Sequence, residues 1–140
     1  MKLLLDTNVL IDFFRNPRAR QEFDARAHRP LLFISSVVVL ELFAGCRTSR
    51  HEKELKSFLK PFETAERLIV PDHACFKEAG RVLAELARDG VGRDHLLRIA
   101  NDVLIAVSAT RSGVTVVTAN SGDFGMIQRH TPVRWMLPAI

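Results

Sequence analysis

The chain has 140 residues, 47% of them hydrophobic, which suits a single domain built around one core. Its 20 Lys and Arg against 16 Asp and Glu give a net charge of +4, a mild excess that alone leaves nucleic-acid binding open. The apolar stretch at residues 3–5 is too short for a signal peptide and is closed by Asp6, and no run approaches the roughly 20 apolar residues of a membrane span. We therefore expect one domain over residues 1–140, located in the cytoplasm and without a membrane partner.

The N-terminal segment predicts a strand followed by a helix. Residues 2–5 are a short apolar run, after which apolar residues recur at helical spacing. Thr7 or Asn8 is the expected N-cap, and Pro17 should end the helix. Residues 15–29 carry five arginines and predict a basic helix or excursion.

The next segment predicts a second strand and two helices. Residues 31–34 form an apolar run, and a Ser35-Ser36 pair can cap the apolar helix over residues 37–46. Residues 51–59 predict an amphipathic helix, which Pro61 should end because proline cannot continue the hydrogen-bond pattern.

The second half of the chain continues to alternate strands with helices. It predicts, in order, a strand at residues 68–70, a helix at 72–88, a helix at 96–109, a strand at 114–118, a short helix after a turn at 120–123 and an edge strand at 133–136. Alternation of this kind predicts a parallel sheet covered on both faces. The expected fold is therefore α/β, a three-layer α/β/α sandwich with a central, mostly parallel sheet.

Two acidic residues follow predicted strands. Asp6 comes directly after the first strand, and Asp123 comes five residues after the strand at 114–118. In open parallel sheets ligands bind beyond the carboxyl ends of the strands, which makes both residues candidates for a site. A helix N-cap for Asp6 and a plain turn aspartate for Asp123 are the alternatives.

Two other acidic residues lie in apolar helical segments. Glu41 is the only charged residue between positions 37 and 46, and Asp102 is followed by the uncharged residues 103–107. A helix that is apolar all round is a buried helix, and a buried carboxylate needs a cation, either a basic side chain or a metal. A structural salt bridge for Glu41 and a helix cap for Asp102 are the alternatives.

Taken together, the four acids predict one pocket at the carboxyl edge of the sheet. At about 4 Å and an effective dielectric constant of about 20, each pair of like charges costs about 4 kcal/mol, so the cluster must take up protons or cations. Ligands that are all oxygen favour Mg²⁺ or Mn²⁺ over zinc. The candidate catalytic and metal-binding residues are Asp6, Glu41, Asp102 and Asp123.

Four segments, in this order, resemble the PIN-domain family, and particularly its VapC toxins of bacterial toxin–antitoxin pairs. They are Leu-Leu-Asp-Thr-Asn-Val-Leu at 4–10, the serine and glutamate segment at 35–45, Asn-Asp-Val-Leu-Ile-Ala at 101–106, and Val-Val-Thr-Ala-Asn at 116–120 with Asp123-Phe124. The resemblance implies a metal-dependent endoribonuclease that binds one or two Mg²⁺ or Mn²⁺ ions, forms a homodimer and pairs with a VapB-like antitoxin. The expected supporting polar residues are Thr7, Asn8, Asn101, Thr118 and Asn120. Position 120 is often aspartate in such proteins, so Asn120 is a departure that lowers the negative charge of the pocket.

The resulting hypothesis is magnesium-assisted hydrolysis of RNA, which leaves a 5′-phosphate and a 3′-hydroxyl because the RNA 2′-hydroxyl does not attack. Basic groups should hold the phosphate backbone, with residues 15–29 among the candidates. The others are Arg47, Arg50, Lys53 and Lys56. For any one of these residues, a solvated helical face is the alternative.

Two other functions compete with this one. A non-catalytic RNA-binding or regulatory module could use the same scaffold, but it would tolerate the loss of one or more acids. A phosphatase of the haloacid dehalogenase type also has an aspartate after the first strand, yet it needs a second aspartate two residues later, where this chain has Asn8.

Overall fold

A five-stranded sheet organises the computed structural model, which describes residues 1–18 and 31–138. Its strands are β1 (Lys2–Leu5), β2 (Leu31–Ser35), β3 (Leu68–Ile69), β4 (Thr115–Val117) and β5 (Trp135–Met136). The helices in these ranges are α1 (Thr7–Arg15), α2 (Ser36–Ala44), α3 (Ser49–Thr64), α4 (His73–Arg88), α5 (Arg93–Ser112) and α6 (Ser121–Ile127). All strand pairs of the described sheet are parallel, and the predicted three-layer α/β class is confirmed.

The strand order is β3-β2-β1-β4-β5. The chain adds strands outward from β1 on one side and then returns to place β4 on the other side, so the order reverses between β1 and β4. Leu4 pairs with Phe33 of β2 and with Val116 of β4. Leu4 and Leu5 are both buried although they point to opposite faces, because helices cover both sides. Ligand crevices form at the carboxyl ends of strands where the order reverses.

The start of α1 differs from the prediction. Its N-cap is Asp6, whose carboxylate accepts a hydrogen bond from the backbone N–H of Thr7 at 2.8 Å, and neither Thr7 nor Asn8 has that role. The reason is that β1 runs straight into α1, which leaves one residue between them. The helix ends with Asn16 as its C-cap, as the neighbouring proline predicts. Most of the predicted basic segment, from residue 19 to 29, lies outside the described residues.

Helix α2 begins as predicted, with the Ser35 side chain accepting a hydrogen bond from the N–H of Val37 at 3.1 Å. The expectation that this helix is buried all round is wrong. Val38 and Leu42 are in the core, but Leu40 is 63% exposed. The helix packs against β2, α1, α3 and α5 and leaves one side open to solvent.

Pro61 does not end α3, which continues to Thr64. Proline removes one N–H donor, but the last turn is closed by the N–H of Ala65, which donates to the Pro61 carbonyl at 3.0 Å. The aromatic rings of Phe58 and Phe62 pack with their centroids 5.4 Å apart on either side of the proline. Packing of this kind offsets the lost backbone bond.

Buried apolar side chains from the strands and from α2, α4 and α5 form one core cluster. Because residues 19–30 and 139–140 lie outside the description, a single domain over the whole chain stays a prediction. Within the described ranges, the search for a helix long and apolar enough to cross a membrane finds none.

Candidate active site

Asp6 lies where β1 ends and is only 2% exposed. Its Oδ2 accepts hydrogen bonds from Thr118 Oγ1 at 2.8 Å and from Asn8 Nδ2 at 3.0 Å, while Oδ1 accepts the N–H of Thr7. Burial raises the pKa of Asp6, and these hydrogen bonds oppose the rise without cancelling it. Asp6 therefore caps α1 and also presents a buried carboxylate at the edge of the sheet.

Thr118 and Asn8 connect the ends of the two central strands. Thr118 is fully buried, and its N–H continues the sheet pairing by donating to the Met136 carbonyl at 3.0 Å. Its hydroxyl oxygen accepts the N–H of Asn120 at 3.0 Å. Asn8 Oδ1 accepts the N–H of Ala119 at 3.0 Å. The backbone around Asp6 is thereby fixed by contacts on both sides of the crevice.

Glu41 reaches the same edge from α2. Its Oε1 accepts a hydrogen bond from Thr7 Oγ1 at 2.7 Å. None of the ion pairs found among residues 1–18 and 31–138 involves Glu41, so the alternative of a structural salt bridge has no partner in this part of the chain. Glu41 also lines a groove of about 410 Å³ between α1, α2 and α3.

Asp102 lies in the middle of α5, inside the helix that the sequence predicts, so the alternative of a helix cap is excluded. The helix begins two turns earlier, at Arg93, with Gly92 as its N-cap. Burial, together with the negative charges of Asp6, Glu41 and Asp123, raises the pKa of Asp102 to about 7. The Asn120 amide, which donates to Asp102 and to Asp123, places these two acids next to each other.

Asp123 lies in the first turn of α6, not in the preceding turn as predicted. Its Oδ2 accepts a hydrogen bond from Asn120 Nδ2 at 2.8 Å, and its Oδ1 is 2.9 Å from His95 Nε2. Burial raises the pKa of Asp123, but the bonds from Asn120 and His95 outweigh it and the net shift is downward. The sequence reasoning missed His95, although its position seven residues before Asp102 places both on one helix face.

Two of the three predicted supporting asparagines, Asn101 and Asn120, differ in position. Asn120 Nδ2 donates to Asp123 and also to Asp102 Oδ2 at 3.3 Å, so the amide bridges two of the acids. Asn101 is exposed, and its position next to Asp102 on α5 turns its side chain about 100° away. The structure therefore brings Asn120 into the pocket and leaves Asn101 outside it.

The pocket suits a hard divalent cation by its chemistry. In the described part of the chain, no three His, Cys, Asp or Glu side chains are already arranged in ligating geometry. The carboxylates are instead held by hydroxyl and amide donors, and no Lys or Arg forms an ion pair with Asp6 or Asp102 there. Oxygen donors with uncompensated negative charge are the ligands that Mg²⁺ and Mn²⁺ prefer.

The predicted RNA-binding residues lie on or next to α3. Arg50 pairs with Glu54 at 3.3 Å, and Lys56 pairs with Glu52 at 3.2 Å, both on exposed helical surface. Arg47 lines the groove next to Glu41. Lys53 is exposed on α3. Of the four residues, Arg47 is the one that lines the groove together with Glu41.

A comparison with family models decides what kind of domain carries this pocket. Residues 3–127 match the model of the PIN domain. The chain belongs to the PIN domain family. The predicted resemblance is thereby confirmed, and the phosphatase alternative is contradicted. PIN nucleases use divalent metal ions, in agreement with the oxygen donors of the pocket.

This PIN domain is similar to an endonuclease and to chains of VapBC complexes. It is 29% identical over 126 residues to the tRNA(fMet)-specific endonuclease VapC of Shigella flexneri, which covers 89% of this chain and 90% of that protein. DNA-bound VapBC of Salmonella typhimurium aligns with 28% identity and a TM-score of 0.68 over 98% of both chains. VapBC2 of Rickettsia felis, bound to a promoter DNA fragment, aligns at 23% identity with a TM-score of 0.70 over 99% of this chain and 100% of that chain, a likeness that shows the fold.

Proposed function

We propose that this PIN domain is a metal-dependent endoribonuclease that hydrolyses RNA phosphodiester bonds, and that it is the toxin of a type II toxin–antitoxin pair. The observation that carries the proposal is one connected set of hydrogen bonds, made by Thr7, Thr118 and Asn120, which joins the carboxylates of four acids at one edge of the sheet: Asp6, Glu41, Asp102 and Asp123. A pocket that concentrates negative charge in this way, with no Lys or Arg paired to it in the described chain, stabilises a divalent cation.

Hydroxyl and amide donors of the chain orient all four carboxylates, that of Asp102 through a 3.3 Å bond from Asn120 Nδ2. Thr7 Oγ1 holds Glu41, Thr118 Oγ1 holds Asp6, and the Asn120 amide holds Asp123. Each donor occupies one lone pair and leaves others for a ligand. Carboxylates that are already oriented bind a metal more tightly, because less freedom is lost on binding.

Asp6, Glu41, Asp102 and Asp123 would hold the cation, which we propose is Mg²⁺ or Mn²⁺ because its ligands are carboxylate oxygens. A divalent cation bound in such a pocket supplies an activated water and offsets charge on the phosphate. The role of the four acids is to hold the positive charge of the cation at the carboxyl edge of the sheet. Thr118 and Asn8 keep the edge rigid by joining the ends of β1 and β4.

The RNA strand would reach the acids along the groove between α1, α2 and α3. Glu41 belongs to both the groove and the pocket, and Arg15 and Arg47 add positive charge to the groove walls. Arg47 is proposed to contact a phosphate, together with Arg50, Lys53 and Lys56 on the adjoining helix. Because RNA is the substrate, the proposed activity belongs to the cytoplasm.

A VapB-like antitoxin is the proposed partner, since relatives of similar fold are VapBC complexes. The groove offers apolar contacts to such a segment through Ile11, Phe14 and Leu42, next to the acidic pocket. An antitoxin bound there would block the approach of RNA to Glu41. The resemblance to VapC proteins further implies that an arginine of the antitoxin inserts into the acidic pocket and competes with the metal.

A homodimer is also proposed. Leu40 on α2, Phe76 on α4 and Leu97 on α5 are 63%, 58% and 67% exposed. Both α2 and α4 pack against α5, so these side chains lie on adjacent helices. Large apolar side chains on neighbouring elements are typical of subunit interfaces.

The experiment that tests the function combines a cleavage assay with end-group analysis. Purified protein is incubated with total RNA and Mg²⁺, with Mn²⁺ or with a chelator, and the products are tested for a 5′-phosphate and a 3′-hydroxyl. Asp6→Asn should abolish cleavage, whereas Asp12→Asn, at an exposed position of α1, should not. RNA binding without cleavage would support the non-catalytic module, and a cyclic phosphate product would contradict the proposed route.

A further inference from the structure

His95 lies in the first turn of α5, at the edge of the acidic pocket. Its Nε2 is 2.9 Å from Asp123 Oδ1, while the other carboxylate oxygen of Asp123 accepts the Asn120 amide at 2.8 Å. The two oxygens of one carboxylate are thus held by side chains from two different elements. His95 and Asp123 are 28 residues apart in sequence, so the contact is a product of the fold.

The direction of the hydrogen bond follows from the state of the carboxylate. An ionised carboxylate has only acceptor oxygens, and Asn120 Nδ2 already donates to one oxygen of Asp123. His95 must then donate through Nε2–H.

Helix geometry explains why this bond affects the metal pocket. His95 and Asp102 are seven residues apart on α5, which places them on the same face, about 10 Å apart along the axis. Asp123 belongs to α6, a helix of seven residues whose N-cap, Asn120, makes no side-chain capping bond. A helix this short has little stability of its own. Contacts with α5 therefore fix the position of Asp123 relative to Asp102.

We propose that His95 is a positioning residue, which holds the Asp123 carboxylate in the orientation that the divalent cation requires. The inference rests on the proposed function of the four acids as metal ligands, to which it adds a residue outside that set. A single donor leaves each oxygen of Asp123 with a free lone pair, so the bond orients the carboxylate without blocking it. Groups that hold a metal ligand in this way commonly change metal affinity by about 10- to 100-fold.

Direct metal binding tests the proposal. Mn²⁺ is titrated into metal-free protein by calorimetry for the wild type, His95→Leu, which lacks the donor, and His95→Gln, whose amide can replace it. We expect His95→Leu to bind Mn²⁺ about 10-fold more weakly or worse, and His95→Gln to recover most of the affinity. The loss should appear in the metal concentration needed for half-maximal cleavage, with little change in the RNA concentration needed.

The chain offers a matched control. His130 Nε2 lies 2.6 Å from Asp89 Oδ2, a second histidine–aspartate contact between distant segments that is outside the acidic pocket. His130→Leu removes a comparable bond, so it should cost similar stability while the Mn²⁺ affinity stays at the wild-type value. An equal loss of affinity in His130→Leu and His95→Leu would show a general structural effect and overturn the proposal.

Two further results would also overturn it: unchanged Mn²⁺ affinity in folded His95→Leu, or equal weakening in His95→Leu and His95→Gln. If His95→Leu does not fold, ¹⁵N spectra of the wild-type histidines give the answer. Addition of Mg²⁺ should then shift the His95 Nε2 resonance and leave that of His130 in place, and an unmoved His95 resonance contradicts the inference. Because binding is measured without RNA, a wild type that binds metal but fails to cleave counts against the proposed function only.

Discussion

In two regions of the same pocket, the pKa values of the carboxylates shift in opposite directions. In the pocket floor, formed by Asp6 and Asp102, burial and neighbouring negative charges raise the pKa values, to about 7 for Asp102. In the pocket rim, formed by Asp123, Asn120 and His95, hydrogen bonds outweigh burial and the pKa of Asp123 falls. Asn120 donates to acids of both regions, so its bonds do not explain the opposite pKa shifts. The shifts differ because the floor is more buried and closer to negative charge, and because only the rim has a bond from His95.

This difference indicates how a cluster of four acids remains compatible with folding. The floor can lower its charge by binding a proton, whereas the rim keeps its charge because neutral or basic donors stabilise it. A cation would replace the proton in the floor and meet an oriented carboxylate in the rim. Groups whose environments separate their pKa values in this manner commonly mark functional sites.

The largest effect should come from Asp102→Asn in the floor. We expect Mg²⁺-dependent cleavage to fall at least about 100-fold, because a charged oxygen is lost where charge must be stabilised. The stability of the folded state should not fall above neutral pH, because the variant has no carboxylate at position 102 for the other three acids to repel. Cleavage rates and urea unfolding of the same preparation check both points, with Asp12→Asn as the control; full activity in Asp102→Asn would remove Asp102 from the site.

The second test uses pH. A carboxyl whose folded pKa is raised stabilises the fold below its unfolded pKa of 3.8, and this contribution disappears as pH rises towards the folded value of about 7. Metal-free protein should therefore lose about 4 kcal/mol of unfolding free energy from Asp102 between pH 4 and pH 8. The difference between wild type and Asp102→Asn across this range isolates the contribution, and Mg²⁺ should stabilise the wild type more at pH 8 than at pH 5. Parallel pH profiles of the two proteins would contradict the raised pKa.

The third test removes the link between floor and rim. Asn120→Asp replaces a donor to Asp102 and Asp123 with another acid, so metal-free protein should lose about 2 kcal/mol of stability at neutral pH. Added Mg²⁺ should recover much of this loss, because the new carboxylate can also face the cation. Thermal unfolding with and without Mg²⁺ measures the effect. A variant as stable as the wild type in chelator would mean that the amide does not bridge the two regions.

The smallest effect should come from Thr7→Val, which keeps the shape of the side chain and removes the 2.7 Å bond to Glu41. A loss of about 1 kcal/mol is the usual contribution of such a bond. Glu41 would gain freedom and the metal requirement for cleavage should rise, although the fold remains. Comparison with Thr7→Ser, which retains the hydroxyl, separates the hydrogen bond from the packing of the methyl group.

Local patterns were sufficient for the class of fold and for the list of candidate acids. Asp6 is identified from the apolar run that precedes it, and Glu41 from being the only charged residue in an apolar helix. Both signals depend only on residues that are close in sequence. The same local view misplaced two features: it made Asp123 a turn residue and Pro61 a helix terminus. In each case the helix extends further because it packs against other elements, and packing outweighs local propensity.

By itself, then, the sequence determined which strands and helices alternate and which acids stand in apolar surroundings, because both depend on residues adjacent along the chain. Only the tertiary structure decided that Thr118 holds Asp6 across 112 residues, that Asn120 bridges two acids and that His95 orients Asp123. Those bonds depend on the distance between side chains of separate elements. That distance is set by the order of the strands around β1 and by the packing of α5 against α6.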